Sequence, residues 1–312
     1  MKRLALKIID LLSGTPLGPP TPREVVLAQE LEKQVRDLPG VFSATDAWMA
    51  YQARIRDMIL ADDPRRFLRW NVVLETMFVV YGRFSLPALF YLRNLPDWSE
   101  RWQGAVRESP VGSPLPLVFY PKSSGTLIQH AYHLAKFEEM TGQRIDNLDF
   151  VLEFGGGYGS MCRLFHNLGF RGKYVIFDLP LLSALQKYYL AQHGITVGDL
   201  TTRGTVSCVS ELEDLRSVLD GGAAPSLFLA TWSISETLLE FRNSFLPLVT
   251  GFDSFCFSYQ REFEHVDNIA FFSQWKSTLG THMRWYESQI KHYPGNYHLF
   301  GVTTCPRRSV HQ

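Results

Sequence analysis

The chain has 312 residues, enough for one large domain or two of ordinary size. Hydrophobic residues make up 46% of it and charged residues 20%, which favours a well-packed core and excludes a largely disordered chain. The 31 basic residues balance the 31 acidic ones, so the composition lacks the positive surplus that favours contacts with nucleic-acid phosphates. We therefore expect no nucleic-acid partner.

Cysteine usage and the apolar segments indicate a soluble cytoplasmic protein. The N-terminal segment MKRLALKIIDLLSG carries charges within its apolar stretch and lacks a small-residue cleavage site, so we expect no signal peptide. The most apolar long run, residues 76–92, is interrupted by Arg83 and Pro87 and is too short to span a membrane. The four cysteines form no CxxC pair, which favours free thiols. Homo-oligomerisation stays open.

The first part of the chain, residues 1–145, has a helical pattern. Apolar residues between Val25 and Val35 recur at spacings that share one helix face, with charges on the other face. Four further helices are predicted, at residues 46–60, 64–80, 85–92 and 123–141.

From about residue 146 to residue 312, short apolar runs alternate with helical segments. The runs DFVLEF, KYVIFDL, GTVSCV, SLFLATW and SFCFSYQ are each followed by a helical pattern, at residues 160 onward, 181 onward, 212–219, 236–248 and 269–279. This alternation predicts a doubly wound α/β domain with a mostly parallel sheet. The runs HMRWYESQI and YHLFGVTTC flank the turn-rich HYPGN, which predicts a C-terminal antiparallel hairpin at the sheet edge.

A glycine-rich turn, VLEFGGGYGS, joins the first of these strands to its helix. Gly155, Gly157 and Gly159 permit a sharp turn and let a ligand approach the backbone where a Cβ would collide. The amides that begin the following helix favour polar or negative ligand groups. The turn therefore predicts a nucleotide-like cofactor.

Two acidic residues narrow the prediction of which cofactor binds. Asp178 ends the second strand, nineteen residues after Gly159, where an acid accepts hydrogen bonds from ribose hydroxyls. Glu153 ends the first strand, where it would repel a pyrophosphate but could hold the ammonium of an amino-acid moiety. A dinucleotide stays open as an alternative, because Gly155, Gly157 and Ser160 nearly satisfy the dinucleotide fingerprint.

The run from Glu153 to Gly159 resembles the first motif of class I S-adenosylmethionine-dependent methyltransferases, with Asp178 matching their second-strand acid. More narrowly, PRRFLRW, LIQHAYHL, LEFGGGYGSMCRL, YVIFDLP and WSISE resemble the bacterial sugar O-methyltransferase family over roughly residues 64–300. The resemblance implies S-adenosylmethionine as cofactor and a small-molecule or carbohydrate acceptor. The cofactor-binding residues expected on this basis are Glu153, Gly155, Gly156, Gly157, Tyr158, Gly159, Asp178, Leu179, Ser210, Thr231 and Trp232. One departure stands after the fourth strand, where Thr231-Trp232-Ser233 replaces a plain acidic motif.

Methyl transfer to a hydroxyl needs a group that removes its proton. His265 follows the fifth parallel strand and is the first candidate base, and Glu236, in WSISE, is expected to orient it or the acceptor. His130 and His133 lie on one helix face and are further candidates that would reach over the cofactor, although packing in the core or at the surface is the favoured explanation for both. A divalent metal is compatible with Glu236, Asp267 and these histidines, but no spacing requires one.

The sequence leaves three other functions open. The acceptor could be a metabolite that is not a sugar, the chain could be a cofactor-binding partner without activity, or it could be a nicotinamide-dependent oxidoreductase. The intact glycine turn with Glu153 and Asp178 argues against a module that has lost catalysis. The domains expected are a helical cover of the acceptor site over residues 1–145 and the cofactor-binding α/β domain over residues 146–312.

Overall fold

The computed structural model describes residues 17–39, 44–198, 206–219 and 224–304. The N-terminal segment, for which the sequence predicts no signal peptide, and Cys305 lie outside these ranges. Cys162, Cys208 and Cys256 are free thiols. No helix within the described ranges is long and apolar enough to cross a membrane.

Within residues 17–39 and 44–145, the described part of the N-terminal region, the chain forms six α-helices. The first is closed by a reciprocal cap, in which the hydroxyl of Thr21 accepts from the amide of Glu24 and the carboxylate of Glu24 accepts from the amide of Thr21. The helices are α1 (Pro22–Asp37), α2 (Asp46–Ala61), α3 (Asn71–Thr76), α4 (Gly82–Arg93), α5 (Gln103–Ala105) and α6 (Gly125–Thr141), with a 3₁₀ segment at Pro64–Arg69 and a π turn at Trp98–Trp102.

The single helix predicted over residues 64–80 is wrong. The backbone leaves helical geometry at Arg66 and again at Trp70, and α3 ends at Thr76. Tertiary hydrogen bonds replace the helical ones: the amide of Leu68 donates to the carbonyl of Gly112, and the amide of Val79 donates to the hydroxyl of Thr126. These contacts come from distant parts of the chain, so local periodicity does not reveal them.

A seven-stranded sheet forms the centre of the second half. Its strands are β3 (Phe150–Phe154), β4 (Lys173–Phe177), β5 (Val206–Val209), β6 (Ser226–Thr231), β7 (Ser254–Gln260), β10 (Met283–Gln289) and β11 (Asn296–Thr303), in the order β10-β11-β7-β6-β3-β4-β5. Strands β3 to β7 pair in parallel, whereas β11 pairs antiparallel with both β7 and β10. The doubly wound sheet with a C-terminal antiparallel hairpin is thus confirmed. Two short hairpins lie outside it, β1–β2 (Pro116–Leu117 with Tyr120–Ser124) and β8–β9 (Glu262–Phe263 with Val266–Asp267).

Alternate strand residues face opposite sides of the sheet. On β3, Val151 faces a core shared with α6, α7 (Ser160–Asn167) and α8 (Pro180–Gln192). Its neighbours Phe150 and Leu152 face a second core, shared with α9 (Leu212–Leu219), α10 (Leu239–Phe245) and α11 (Asn268–Thr278). The helix predicted over residues 236–248 is shorter in the structure, where α10 covers only Leu239–Phe245. A 3₁₀ turn (Ser233–Glu236) precedes it and a second one (Leu246–Val249) follows it.

The helical N-terminal region shares the first of these cores with the α/β part. Residues from α1, α2 and α4, such as Leu31, Ile55 and Leu89, belong to the same apolar cluster as Val151 of the sheet. Helix α6 contributes the fully buried Leu127, and it packs against β11 and β7. The division at residue 145 stays a prediction, and one continuous apolar core crosses it.

Candidate active site

A cavity of about 1910 Å³ opens where the carboxyl ends of the parallel strands meet the N-terminal helices. Ligands of open α/β sheets bind beyond these strand ends, and drug-sized ligands fill about 300–1,000 Å³. The cavity has room for two reactants of that size. Of the cofactor residues expected from the sequence, its lining contains Glu153, Gly155, Gly156, Gly157, Tyr158, Asp178, Leu179, Ser210, Thr231 and Trp232, and lacks Gly159.

The glycine turn is compact because its own amides are largely used within the protein. Gly155 donates to the carbonyl of Phe177, and Gly159 donates to the carbonyl of Gly156. Gly155 has φ of +69°, and an added Cβ there would overlap the side chain of Ser233, whose hydroxyl donates to the carbonyl of Phe154. The turn thus holds the end of β3 against the segment after β6, with no space for a side chain between them.

Asp178 braces this turn as well as facing the cavity. Its Oδ2 accepts from the amide of Gly157 at 3.0 Å and from Nε2 of Gln186 at 2.8 Å, and its Oδ1 accepts from the amide of Leu179 at 2.8 Å. Burial raises the pKa of Asp178 to about 7, against the opposing effect of these three donors. A carboxylate has about four acceptor sites and three are occupied here, so Oδ1 has one site left for a ligand hydroxyl.

Glu153 lies at the same end of the cavity and is almost fully buried. The hydroxyl of Tyr174 donates to its Oε2 at 2.8 Å. Burial raises the pKa of Glu153 to about 8, although this hydroxyl opposes the shift. The carboxyl is therefore largely neutral at pH 7 and would ionise beside a bound cation.

Trp232 lies directly after β6 and has a strained backbone. Its φ of +65° is rare for a large side chain, and such strain concentrates at functional sites. The surrounding structure holds it: the Trp232 amide donates to the carbonyl of Ser258 at 2.6 Å, and its indole Nε1 donates to Oδ1 of Asn296 at 2.6 Å. Tyr293, in the turn between β10 and β11, packs against both Trp232 and Phe84 of α4. The C-terminal hairpin thus closes one side of the cavity.

Glu236 ends the 3₁₀ turn after Trp232 and faces the same cavity. Its Oε2 accepts from the indole Nε1 of Trp48 in α2 at 3.0 Å, and its Oε1 accepts from Nε2 of Gln260 at 3.3 Å. Burial raises the pKa of Glu236, and both donors oppose the shift. A carboxylate whose pKa is raised and whose orientation is set by two donors is suited to accept a proton.

Arg242 of α10 holds the turn that carries Glu236. The guanidinium is fully buried, and it donates to the carbonyls of Ser235 at 2.6 Å and Thr237 at 2.9 Å and to Oδ1 of Asn268 at 2.6 Å. Burial lowers the pKa of Arg242 to about 10, so it stays cationic at neutral pH and favours ionised Glu236.

The two candidate histidines of α6 occupy different environments. His130 lines the cavity, and its Nδ1 is buried without a hydrogen-bond partner, while burial lowers the pKa of the ring to about 4. His133 does not line the cavity: it is fully buried, its Nδ1 lies 2.7 Å from Nε2 of His298 and 3.1 Å from the hydroxyl of Ser258, and its ring packs against Trp232. Burial holds the pKa of His133 well below its usual value. His133 therefore supports the wall behind Trp232.

His265 is exposed in the tight β8–β9 turn, with φ of +71°, and does not line the cavity. His265 lies in the turn of the short hairpin that follows β7, whereas Gln260, the last residue of β7, lines the cavity and donates a hydrogen bond to Glu236. Sequence position after a parallel strand therefore does not bring His265 to the glycine turn.

Sequence reasoning did not identify Trp48, Gln260, Arg242 or Asn296. Trp48 is 188 residues from Glu236 along the chain, and no local pattern marks such a pair. Gln260 ends the strand that precedes the His265 loop, so its strand-end position was the available signal. Across the described ranges, no three His, Cys, Asp or Glu side chains are grouped so that they could bind a metal ion.

No protein-family model and no curated protein matches this chain. Solved structures with a partly similar fold include cofactor-bound Rv0187 from MTB, at 13% identity over 56% of this chain and 79% of that one, with a TM-score of 0.40. The N-terminal domain of human METTL16 in complex with SAH is 8% identical over 57% and 71%, with a TM-score of 0.40. Precorrin-6y C5,15-methyltransferase from Geobacter metallireducens GS-15 is 12% identical over 58% and 90%, with a TM-score of 0.38.

Proposed function

We propose that this protein is an S-adenosylmethionine-dependent O-methyltransferase. The observation that carries the proposal is that one cavity joins the glycine turn, Asp178 and Glu236, which come from three different strand ends. The backbone of the glycine turn forms part of the cavity wall, Asp178 has one acceptor site left for a ribose hydroxyl, and Glu153 would pair with the ammonium of the cofactor's amino-acid moiety. The residues present therefore fit this cofactor.

Glu236 is the base in this proposal. When bound, S-adenosylmethionine supplies an electrophilic methyl group, and the protein must hold an acceptor oxygen in line with it. The carboxylate of Glu236 accepts the proton of the acceptor hydroxyl, while Trp48 and Gln260 keep its two oxygens in place. His130, neutral and facing the cavity, is a second polar group for ligand contacts.

The acceptor in this proposal is a hydroxyl of a sugar or glycosylated small molecule. Its support is the resemblance to the sugar O-methyltransferase family and the depth of Glu236 beneath α2, which suits a small molecule better than a folded macromolecule. A nicotinamide cofactor is the alternative; Glu153 favours S-adenosylmethionine over it, because an ammonium group would stabilise the ionised form of this carboxyl whereas a pyrophosphate offers it no opposite charge.

Calorimetry with S-adenosylhomocysteine and with NADH tests the cofactor. We expect binding of the first and none of the second, and a folded protein that gives no heat with S-adenosylmethionine or S-adenosylhomocysteine would contradict the proposal.

Single-turnover transfer of labelled methyl groups to a panel of glycosides tests the base. Glu236→Gln should slow transfer roughly 10²- to 10⁴-fold with cofactor affinity retained. Glu240→Gln is the matched control, because Glu240 lines the same cavity but is exposed at its mouth. Equal rates for the two variants would remove Glu236 from the chemistry.

A further inference from the structure

Exposed apolar side chains occur in three segments that contribute to the lining of the cavity. Within the described ranges nine large hydrophobic side chains are exposed, and five of them lie in these three segments. Tyr81, Val118 and Leu238 line the cavity itself, while Phe119 and Leu239 follow two of them in the chain. We call these five residues the apolar rim.

Phe119 is the most exposed residue of the rim, and its backbone conformation is unfavourable for a large side chain. It lies with Val118 in the two-residue turn of the β1–β2 hairpin, where Leu117 pairs with Tyr120. Its φ is +68°, a conformation that disfavours large side chains, and 84% of its surface is exposed. Neither backbone preference nor packing in the free protein rewards a phenylalanine here, and such an outlier points to a function.

The rim contrasts with the polar floor below it. The floor carries Glu236 and Gln260, which suit a hydroxylated group, whereas the mouth offers apolar carbon. Among the described residues, the cationic side chains of the lining are Arg54 and Arg69, and both have protein partners: Arg54 pairs with Glu75 at 2.9 Å, and Nε of Arg69 donates to the carbonyl of Ser113. The cavity is therefore poorly suited to an acceptor that carries phosphate groups.

We propose that the acceptor is an amphipathic glycoside, whose sugar head presents a hydroxyl to Glu236 and whose apolar aglycone rests on the rim. The inference deepens the proposed methyltransferase function and rests on it. Tyr81, Val118 and Leu238 of the rim line the same cavity as Glu236, so one molecule can contact both the rim and the base. Contact with the aglycone removes the apolar surface of Val118 and Phe119 from water, which accounts for their exposure in the free protein.

The test compares n-octyl β-D-glucopyranoside, below its critical micelle concentration, with methyl β-D-glucopyranoside. Both are titrated calorimetrically into protein saturated with S-adenosylhomocysteine. We expect the octyl glucoside to bind more than tenfold more tightly, because its chain gains contact with the rim. The double variant Val118→Ser/Phe119→Ser should lose most of this preference with unchanged affinity for S-adenosylhomocysteine. Phe90→Ser is the matched control, since Phe90 is 62% exposed on α4 but does not line the cavity.

Three outcomes would overturn the inference: no preference for the octyl glucoside, a preference that the double variant retains, or equal effects of the double variant and Phe90→Ser. Sedimentation with phosphatidylcholine vesicles tests the alternative that the rim binds a lipid surface. Vesicle binding that depends on Val118 and Phe119, without a preference between the glucosides, would assign the rim to a lipid surface instead. A wild-type protein that fails to bind S-adenosylhomocysteine would contradict the proposed function, whatever the glucosides do.

Discussion

Gly155→Ala tests whether a side chain at position 155 is excluded by collision with Ser233 as well as by the positive φ of the backbone. Gly155 has φ of +69°, and its added methyl group would lie 2.9 Å from Oγ of Ser233 and closer still to its Cβ. Alanine in this conformation costs about 1 kcal/mol, and loss of the Ser233 hydrogen bond to Phe154 costs about 1 kcal/mol more. With overpacking of about 1–3 kcal/mol, we expect the free energy of unfolding to fall by about 3–5 kcal/mol.

Gly142→Ala is the matched control for that change. Gly142 follows α6 with φ of +73°, and nothing lies within 4 Å of an added Cβ. This variant should lose about 1 kcal/mol, the conformational cost alone. Urea denaturation of both variants, followed by calorimetry with S-adenosylhomocysteine, measures the difference. Two variants of equal stability, or a Gly155→Ala protein with wild-type cofactor affinity, would refute the steric argument.

Three further predictions concern the cofactor residues and the cover. Asp178→Ala should weaken S-adenosylhomocysteine binding by about 1.5–3 kcal/mol in calorimetry, whereas unchanged affinity would limit Asp178 to bracing the turn. The raised pKa of Glu153, about 8, means that its contribution to stability is complete below about pH 4.5 and is lost as the pH rises through 8. As the pH rises from 5 to 8, the free energy of unfolding of Glu153→Gln in urea denaturation should therefore increase relative to that of wild type. The variant should also bind the cofactor more weakly, and parallel pH profiles of the two proteins would contradict the prediction. A chain that begins at Leu148 should be insoluble or inactive, because it lacks α6 and exposes the core behind β11, and a soluble truncated protein with full activity would show that the cover is dispensable.

The sequence by itself determined the α/β part of this protein. The apolar runs that end at Phe154 and Phe177 predict buried parallel strands, because a strand covered on both faces needs apolar side chains on both. The glycine turn predicts where a ligand approaches, and ten of the eleven cofactor residues expected from the sequence line one cavity. These features are local, since a strand end, a tight turn and the next helix follow one another within a few residues.

The tertiary structure alone decided which polar groups meet at the cavity. Glu236 became the candidate base because Trp48 and Gln260 converge on it, from 188 residues before it and 24 residues after it. Neither His133 nor His265 lines the cavity, for opposite reasons. His133 is buried behind Trp232, and His265 is exposed in the turn of a short hairpin. Convergence of this kind depends on how α2 and the segments after the strands pack over the sheet. Packing depends on contacts between distant residues, which the local sequence pattern does not encode.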